Sequence, residues 1–258
     1  VADIVLIEAT IDDIRKHGVC GYKDPRTPGF NEKVAWLEDR FAEGLKIILL
    51  LSNEDGVQGM IEYIPGEYCW RPVNAGGYAF IHCIFVGFKK KYKNQGYASQ
   101  LIESCEQDAR RTSDGVAIVT RKSSFMVGSK LFKKNGYEVV GNAQPDFELL
   151  VKKFNRSAPD PSFRTTGQRR VDDYGQGITI LRTDQCPYTV KNVNEIVEHA
   201  RSEYRTDVRV VDLTSCRESQ NSPCAFGSFC LIIDGEIVAD HPISKGRFAN
   251  IMKKRANP

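Results

Sequence analysis

Apolar positions along this chain fall into short runs and helical repeats, and the switches between them mark out the elements. An apolar run at 4–7 predicts a first strand, and Thr10 is placed to cap a helix opening Ile11-Asp12-Asp13 and ending at Lys16-His17-Gly18. After a Pro/Gly loop at 24–29, Val34, Leu37 and Phe41 share one face of a second helix over 31–43, closed by Gly44. Residues 46–52 and 57–64 read as a hairpin around Asn53-Glu54-Asp55-Gly56. A loop with Tyr68, Cys69, Trp70 and Pro72 leads to Tyr78–Val86, rich in β-branched and aromatic residues and so a buried strand. From Gly96 onward, Ala98, Leu101, Ile102, Cys105 and Ala109 recur at helical spacing. A strand at 115–120 follows, then a helix at 128–135 with Leu131 and Phe132 inward. Gly136 ends that helix, and strands at 137–140 and 147–153 complete the region.

Residues 155–176 are rich in Pro, Ser, Arg, Asp and Gly without apolar periodicity, which predicts a linker. Beyond it the pattern restarts. A strand at 178–181 leads to a helix opened by Cys186-Pro187-Tyr188-Thr189, with Val193, Ile196, Val197 and Ala200 on its buried face. A strand at 208–213, the dipeptide Ser222-Pro223, and a hairpin of 229–233 and 236–238 about Asp234-Gly235 come next. Ser244 caps a last helix bearing Phe248 and Ile251. The expected organisation is one domain over 1–154, a linker over 155–176 and a second domain over 177–258, without internal repeats.

The turn between Tyr78–Val86 and the helix after it carries the sharpest chemistry. It holds Lys89, Lys90, Lys91 and Lys93 and places Gly96 at the helix entrance. Unpaired N–H groups and the positive end of a helix dipole suit a phosphate, and glycine lets the backbone approach it.

Lys93-Asn94-Gln95-Gly96-Tyr97-Ala98 resembles the Gln/Arg-x-x-Gly-x-Gly/Ala pyrophosphate loop of the GNAT N-acetyltransferases. Gly96 and Ala98 match, Lys93 stands at the Gln/Arg position, and the loop is about two residues longer than usual. The element order β-α-α-β-β-β-α-β-α-β-β fits that superfamily over roughly the first 154 residues. Phe132-Lys133-Lys134-Asn135-Gly136-Tyr137 is similar to its Tyr-Glu-Lys-x-Gly-Phe segment. Two positions depart from the pattern. Phe132 replaces the tyrosine that often protonates the departing CoA thiolate, and Phe125 replaces an asparagine often found seven residues earlier. The tail, with strand, Cys-x-x-Thr at a helix start, strand, Pro, hairpin and helix, resembles a small thioredoxin-like domain. A GNAT domain followed by such a tail is similar to acetyltransferases with a YoaP-like C-terminal domain. The fold implied is α/β (α+β), a GNAT mixed central sheet followed by a small thioredoxin-like domain.

The resemblance implies acetyl-CoA as co-substrate, held by Ile84, Phe85, Val86, Lys91, Lys93, Asn94, Gln95, Gly96, Tyr97 and Ala98, with an amine-bearing small molecule or peptide as acceptor. Backbone N–H groups around Phe85 and Val86 would stabilise the oxyanion where the strand splays. His82 is the first choice of general base, because an imidazole titrates near working pH. Arylalkylamine acetyltransferases of this superfamily carry histidine at a similar place, and a core histidine bonded to a carbonyl is the equal alternative. Glu62 is the second choice, against a solvent-facing carboxylate. No general acid stands out. In the tail, a thiol at a helix N-terminus has its thiolate favoured, so Cys186 is expected to titrate below free cysteine. Pro223, on this resemblance, would be a cis-proline, and Cys224 would then face Cys186 as a second redox thiol or, with Cys216, help bind a soft metal. The plain alternative is an inactive module used for docking or dimerisation, so a homodimer is also expected as a possibility to test.

Composition narrows the remaining classes. At 258 residues the chain is long for one domain and comfortable for two. A net charge of +3 argues against a general nucleic-acid or membrane binder, and no apolar run approaches a bilayer span. Eight scattered cysteines without paired zinc-type spacing suggest thiols in a reducing cytosol, and no metal site is assigned. Three functions follow: an acetyl-CoA-dependent N-acetyltransferase acting in a ternary complex, a CoA-binding regulator without turnover, or a thiol-redox protein acting through Cys186.

Overall fold

The predicted hairpins and crossovers close into two larger sheets, with a two-stranded ribbon besides, in the computed structural model, which describes residues 4–123, 125–164, 171 and 173–256. The first part runs β1 (Ile4–Glu8), α1 (Ile11–His17), α2 (Phe30–Ala42), β2 (Lys46–Ser52), β3 (Gly56–Pro65), β4 (Val73–Asn74) and β5 (Tyr78–Val86). It continues with α3 (Tyr97–Ala109), β6 (Gly115–Arg121), α4 (Ser129–Lys134), β7 (Glu138–Ala143) and β8 (Phe147–Lys153). Seven of these strands form one sheet in the order β1-β2-β3-β5-β6-β8-β7. Its neighbours are antiparallel except for β5 and β6, which the α3 crossover joins in parallel. Thr10 caps α1 as its sequence predicts: its hydroxyl accepts from the Asp13 N–H while the Asp13 carboxylate accepts from the Thr10 N–H.

Helices cover both faces of the sheet. Leu101, Ile102 and Cys105 of α3 are fully buried against Ile48, Ile61, Ile81 and Ile118 on one face. Ile14, Trp36 and Leu37 of α1 and α2 pack with Trp70 and Phe80 on the other. Each aliphatic side chain so buried contributes about 1.5–3 kcal/mol, so these clusters fix which face every strand residue takes.

The second part contains β10 (Ile178–Arg182), α5 (Tyr188–Tyr204), β11 (Val208–Asp212), α6 (Cys216–Gln220), β12 (Phe229–Ile233), β13 (Glu236–Ala239) and α7 (Lys245–Ala256). Its sheet has the order β11-β10-β12-β13. β10 and β11 run parallel across the α5 crossover, and β12–β13 is a hairpin whose Asp234 and Gly235 both have positive φ, as a tight primed turn requires. Strand, helix, strand, hairpin and helix thus follow in the predicted order.

The stretch expected to be a plain linker is partly structured. Within it β9 (Ser162–Phe163) pairs with β4, and Ala158 and Val171 are buried; residues 165–170 and 172 lie outside the described residues. The two sheets also share one hydrophobic cluster, in which Phe229, Ile180 and Phe248 join the α1–α2 side of the first sheet. Arg121 bonds Asp146 at 2.7 Å within its own part and Asp240 at 2.6 Å across the boundary. Gly29 has φ +93°, and a Cβ there would stand 2.0 Å from the Pro187 carbonyl oxygen, so glycine alone lets α2 start against the entrance of α5.

Candidate active site

Two features of β5 build the site. Its parallel pairing with β6 covers only Tyr78–Ile81 opposite Gly115–Ile118, although β5 continues to Val86. The strands diverge beyond that point, leaving one backbone edge of Ile84, Phe85 and Val86 toward the gap. On the other side, Glu62 pairs with Cys83 and Tyr63 with Ile81, so His82 is the extra residue of a β-bulge. The bulge turns His82 and its neighbour Cys83 toward the same cluster: His82 packs near the Trp36 and Phe80 rings, and Cys83 borders that core.

The turn after β5 leaves a helix entrance without a cap. Asn94 and Gly96 take left-handed backbone, with φ +60° and +84°. The first bond of α3 runs from the Gln100 N–H to the Gly96 carbonyl, so the N–H groups of Tyr97, Ala98 and Ser99 have no acceptor within the helix. No side chain caps this end, and a Cβ on Gly96 would meet nothing within 4 Å. The lysines divide. Lys89 pairs with Asp55, while Lys91 reaches Asp55 at 2.7 Å and Glu54 at 2.8 Å. Bonds from Lys89, Lys91 and the Tyr92 hydroxyl hold the Asp55 carboxyl well below its usual range. The expectation that Lys91 is free for a phosphate is therefore corrected: its charge fastens the loop to the β2–β3 turn. Among the described residues no carboxylate pairs with Lys90 or Lys93. Tyr92, which the sequence reading passed over, anchors the turn from inside through Ser52 and Asp55.

Below the splay lies a cavity of about 370 Å³, walled by both parts of the chain. His82, Ile84 and Phe85 of β5 form one side, with Phe125 and Met126 from the loop after β6. Gln185, Cys186, Tyr188 and Phe226 come from the second part. Phe125, at the position where the resemblance has asparagine, holds φ +93°, a costly conformation for a bulky side chain. Phe132, at the tyrosine position, is buried against Tyr137. A more open cleft of about 680 Å³ over α5 and β11 is lined by Val193, Val197 and Val210 together with surface polar groups such as the Arg182–Asp212 pair.

A chain of buried polar groups floors the cavity. Lys33 Nζ lies 2.6 Å from Glu62 Oε2, both fully buried. Glu62 Oε1 accepts from Gln185 Nε2 at 3.2 Å, and Gln185 Oε1 accepts from Arg71 Nη1 at 2.7 Å. Sequence could not reveal Lys33, Arg71 or Gln185 as a set, since they lie far apart along the chain.

The protonation states differ from the expectation. Burial pushes His82 down to about 4, against the pull of Glu62. Its Nε2 accepts from the Trp70 N–H at 2.9 Å, so the ring proton sits on Nδ1, which faces Glu62 Oε1 at 3.3 Å in a geometry short of a well-formed hydrogen bond. An imidazole poised near working pH is thus replaced by a neutral one whose lone pair is engaged. Glu62 is not solvent-facing. Burial raises its pKa, but Lys33 and His82 outweigh that and keep it ionised.

The thiol expectations are also corrected. Cys186 titrates above free cysteine, because burial outweighs the help of the helix start. Its thiol neighbours are Cys20 and Cys83, which burial likewise raises. Cys224 lies elsewhere, beside Cys230, in a separate cavity with Pro223, and its thiol donates to the Phe229 carbonyl. Cys216 sits near Glu43 and Arg40. The peptide before Pro223 is trans, the single cis bond among the described residues being Gln144–Pro145. Among the described residues no group of three His, Cys, Asp or Glu side chains is arranged around a metal. No helix among them is long and apolar enough to cross a membrane.

Residues 12–137 match the acetyltransferase (GNAT) family and residues 208–250 the YoaP-like family. The first part of the chain is thus similar to the GNAT N-acetyltransferases and the last part to the YoaP-like family. An uncharacterized N-acetyltransferase YoaP of Bacillus subtilis (strain 168) is 29% identical over 256 residues, covering 97% of this chain and 99% of that protein. Among solved structures, the GNAT N-acetyltransferase YhbS of Escherichia coli in complex with CoA is 12% identical, covering 64% of this chain and 92% of its own, with a TM-score of 0.41. The PaiA N-acetyltransferase of Thermoplasma acidophilum in complex with coenzyme A is 14% identical, covering 59% and 99%, with a TM-score of 0.42. Acetyl-CoA, implied by the sequence resemblance, is the acyl donor this family uses.

Proposed function

We propose that this protein transfers the acetyl group of acetyl-CoA to the amine of a small molecule bound in the cavity between its two parts. The observation that carries the reading is the alignment of an uncapped α3 N-terminus with the splayed end of β5, which leads into that cavity. The N–H groups of Tyr97, Ala98 and Ser99 would take the pyrophosphate, with Lys90 and Lys93 as free cations and Gly96 keeping the approach clear. Asn94 and Gln95 shape the turn, Lys91 braces it, and the edge of Ile84, Phe85 and Val86 aligns the thioester and its oxyanion.

In a ternary complex the amine nitrogen bonds to the thioester carbonyl carbon, the C–S bond breaks, and the sulfur leaves as thiolate. The nitrogen, strongly acidic once it carries the new bond, gives up its proton, and the thiolate is protonated to CoA. Glu62 is the group beside the cavity that accepts the nitrogen's proton, and His82, its own lone pair filled by the Trp70 N–H, stands behind that carboxylate. Glu62 is a weak base here, so the amine must enter already neutral. The rate then rises with pH along the acceptor's own ionisation, without a break at the ordinary imidazole value. The 1–154 region supplies the donor site and the 177–258 region closes the acceptor side.

Thermal unfolding with and without acetyl-CoA, followed by a CoA-release assay over an amine panel, tests this reading. A raised Tm and amine-dependent release support it. A Tm unmoved by saturating acetyl-CoA overturns it. Binding without release from any amine would instead favour the non-catalytic CoA binder.

A further inference from the structure

Arg71 is a buried charge beside the acceptor cavity for which the protein supplies no counter-ion among the described residues. It is 3% exposed and lines the cavity, yet all its partners are neutral. Its Nη1 donates to the Trp70 carbonyl at 2.8 Å, Gln185 Oε1 at 2.7 Å and Ser228 Oγ at 3.1 Å. Its Nη2 reaches only the His82 carbonyl, at 3.5 Å, and Nε has no acceptor among the described residues. The guanidinium lies 4.6 Å over the Phe226 ring, which holds its plane in place. Glu62, the carboxylate of the same cavity, is already taken by Lys33 at 2.6 Å. Two buried cations therefore face one buried anion, and His82 is neutral.

A buried cation without a counter-ion costs several kcal/mol, and a bidentate carboxylate is the partner a guanidinium fits best. Much of the rest of the wall, including Ile84, Phe85, Met126 and Val127, is apolar. At about 370 Å³ the cavity suits a small molecule rather than a folded protein.

We propose that Arg71 receives the carboxylate of the acceptor, so that the amine acetylated belongs to a small apolar amino acid or a close analogue. This rests on the acetyl-transfer reading above. The carboxylate sits against Nε and Nη2 of Arg71, the apolar side chain against Phe85 and Met126, and the amine toward the splayed end of β5. A site built around an anion rejects the analogue lacking it, because the buried donors would be left unpaired.

The test compares leucine and phenylalanine with isoamylamine and phenethylamine, which differ from them only by the carboxylate. With wild-type protein and acetyl-CoA, the amino acids are expected to show about ten- to hundredfold higher kcat/KM. In parallel, 4-methylpentanoate without any donor is expected to raise the Tm of the wild-type protein, and Arg71→Gln to abolish that rise while the rise with acetyl-CoA remains. Arg71→Lys, which keeps the charge but loses the fork, is expected to retain a reduced preference and covers the case in which Arg71→Gln fails to fold. Equal or faster turnover of the decarboxylated amines overturns the proposal, as does an unmoved Tm with 4-methylpentanoate. Failure of the acetyl-transfer reading has a different signature: no Tm response to acetyl-CoA.

Discussion

The proposed donor end and the proposed acceptor end of this site are built on opposite plans. The donor end is one contiguous turn, residues 87–99, open to solvent and ordered by its own backbone: left-handed Asn94 and Gly96, three unfilled N–H groups, and a lysine brace to Asp55. The acceptor end is assembled from eight separate stretches and sealed by the second part of the chain, with its charges buried. A phosphate needs only N–H groups and a nearby cation, which a local motif can provide. Selecting an acceptor needs walls and a fixed buried polar pattern, which only long-range packing provides.

This contrast can be broken at several points. The largest effect is expected from Lys33→Met, which leaves the Glu62 carboxylate buried and unpaired beside the cavity. A loss of about 3–5 kcal/mol in urea unfolding is expected, largely recovered when Glu62→Gln is added. A change well under 1 kcal/mol would mean that the floor of the cavity is wetter than its geometry implies.

The pH dependence of stability comes next. Between its unfolded value near 6.5 and about 4, His82 binds a proton when the chain is unfolded and refuses it when folded. Stability should therefore fall as pH drops through that window, by about 3 kcal/mol across it, and His82→Gln should flatten the fall. Urea titrations of both proteins at pH 7.5 and 5 measure the difference, and parallel curves would contradict the buried, neutral ring.

Gly96→Glu is expected to weaken acetyl-CoA about a hundredfold by calorimetry, or about 2.7 kcal/mol, through charge and a φ of +84° that glutamate resists. The Tm response to 4-methylpentanoate should survive, since the acceptor end is built separately. The smallest change is expected from Tyr188→Phe, which removes a hydrogen bond of 3.1 Å to the Cys20 carbonyl across the two parts. A cost of about 1 kcal/mol is expected, with acetyl-CoA affinity unaltered.

Most of the elements, and the turn proposed to hold the donor, are legible in the sequence because both are local. Gly96 stands between a strand run and a helical repeat, and both periodicities are visible within a dozen residues. What it missed is what depends on burial and distance. His82 reads as a poised base until the bulge turns it inward and the Trp70 amide fills its lone pair. Lys91 reads as a phosphate ligand until the β2–β3 turn is folded against it. Cys186 does stand at a helix entrance, as predicted, but the same packing that forms the cavity desolvates it and reverses the direction of its titration. Arg71 and Gln185 are 114 residues apart, and nothing along the chain couples them before the two sheets meet.

Gln185 clasps Glu62 with one end of its amide and Arg71 with the other, although it belongs to the opposite half of the molecule. On the proposed reading, selectivity would be partly encoded in a module that makes no catalytic bond of its own. Exchanging that module for a cousin's, or recombining the gene at the β8–β9 junction, would retune what is modified while sparing the machinery that grips the nucleotide.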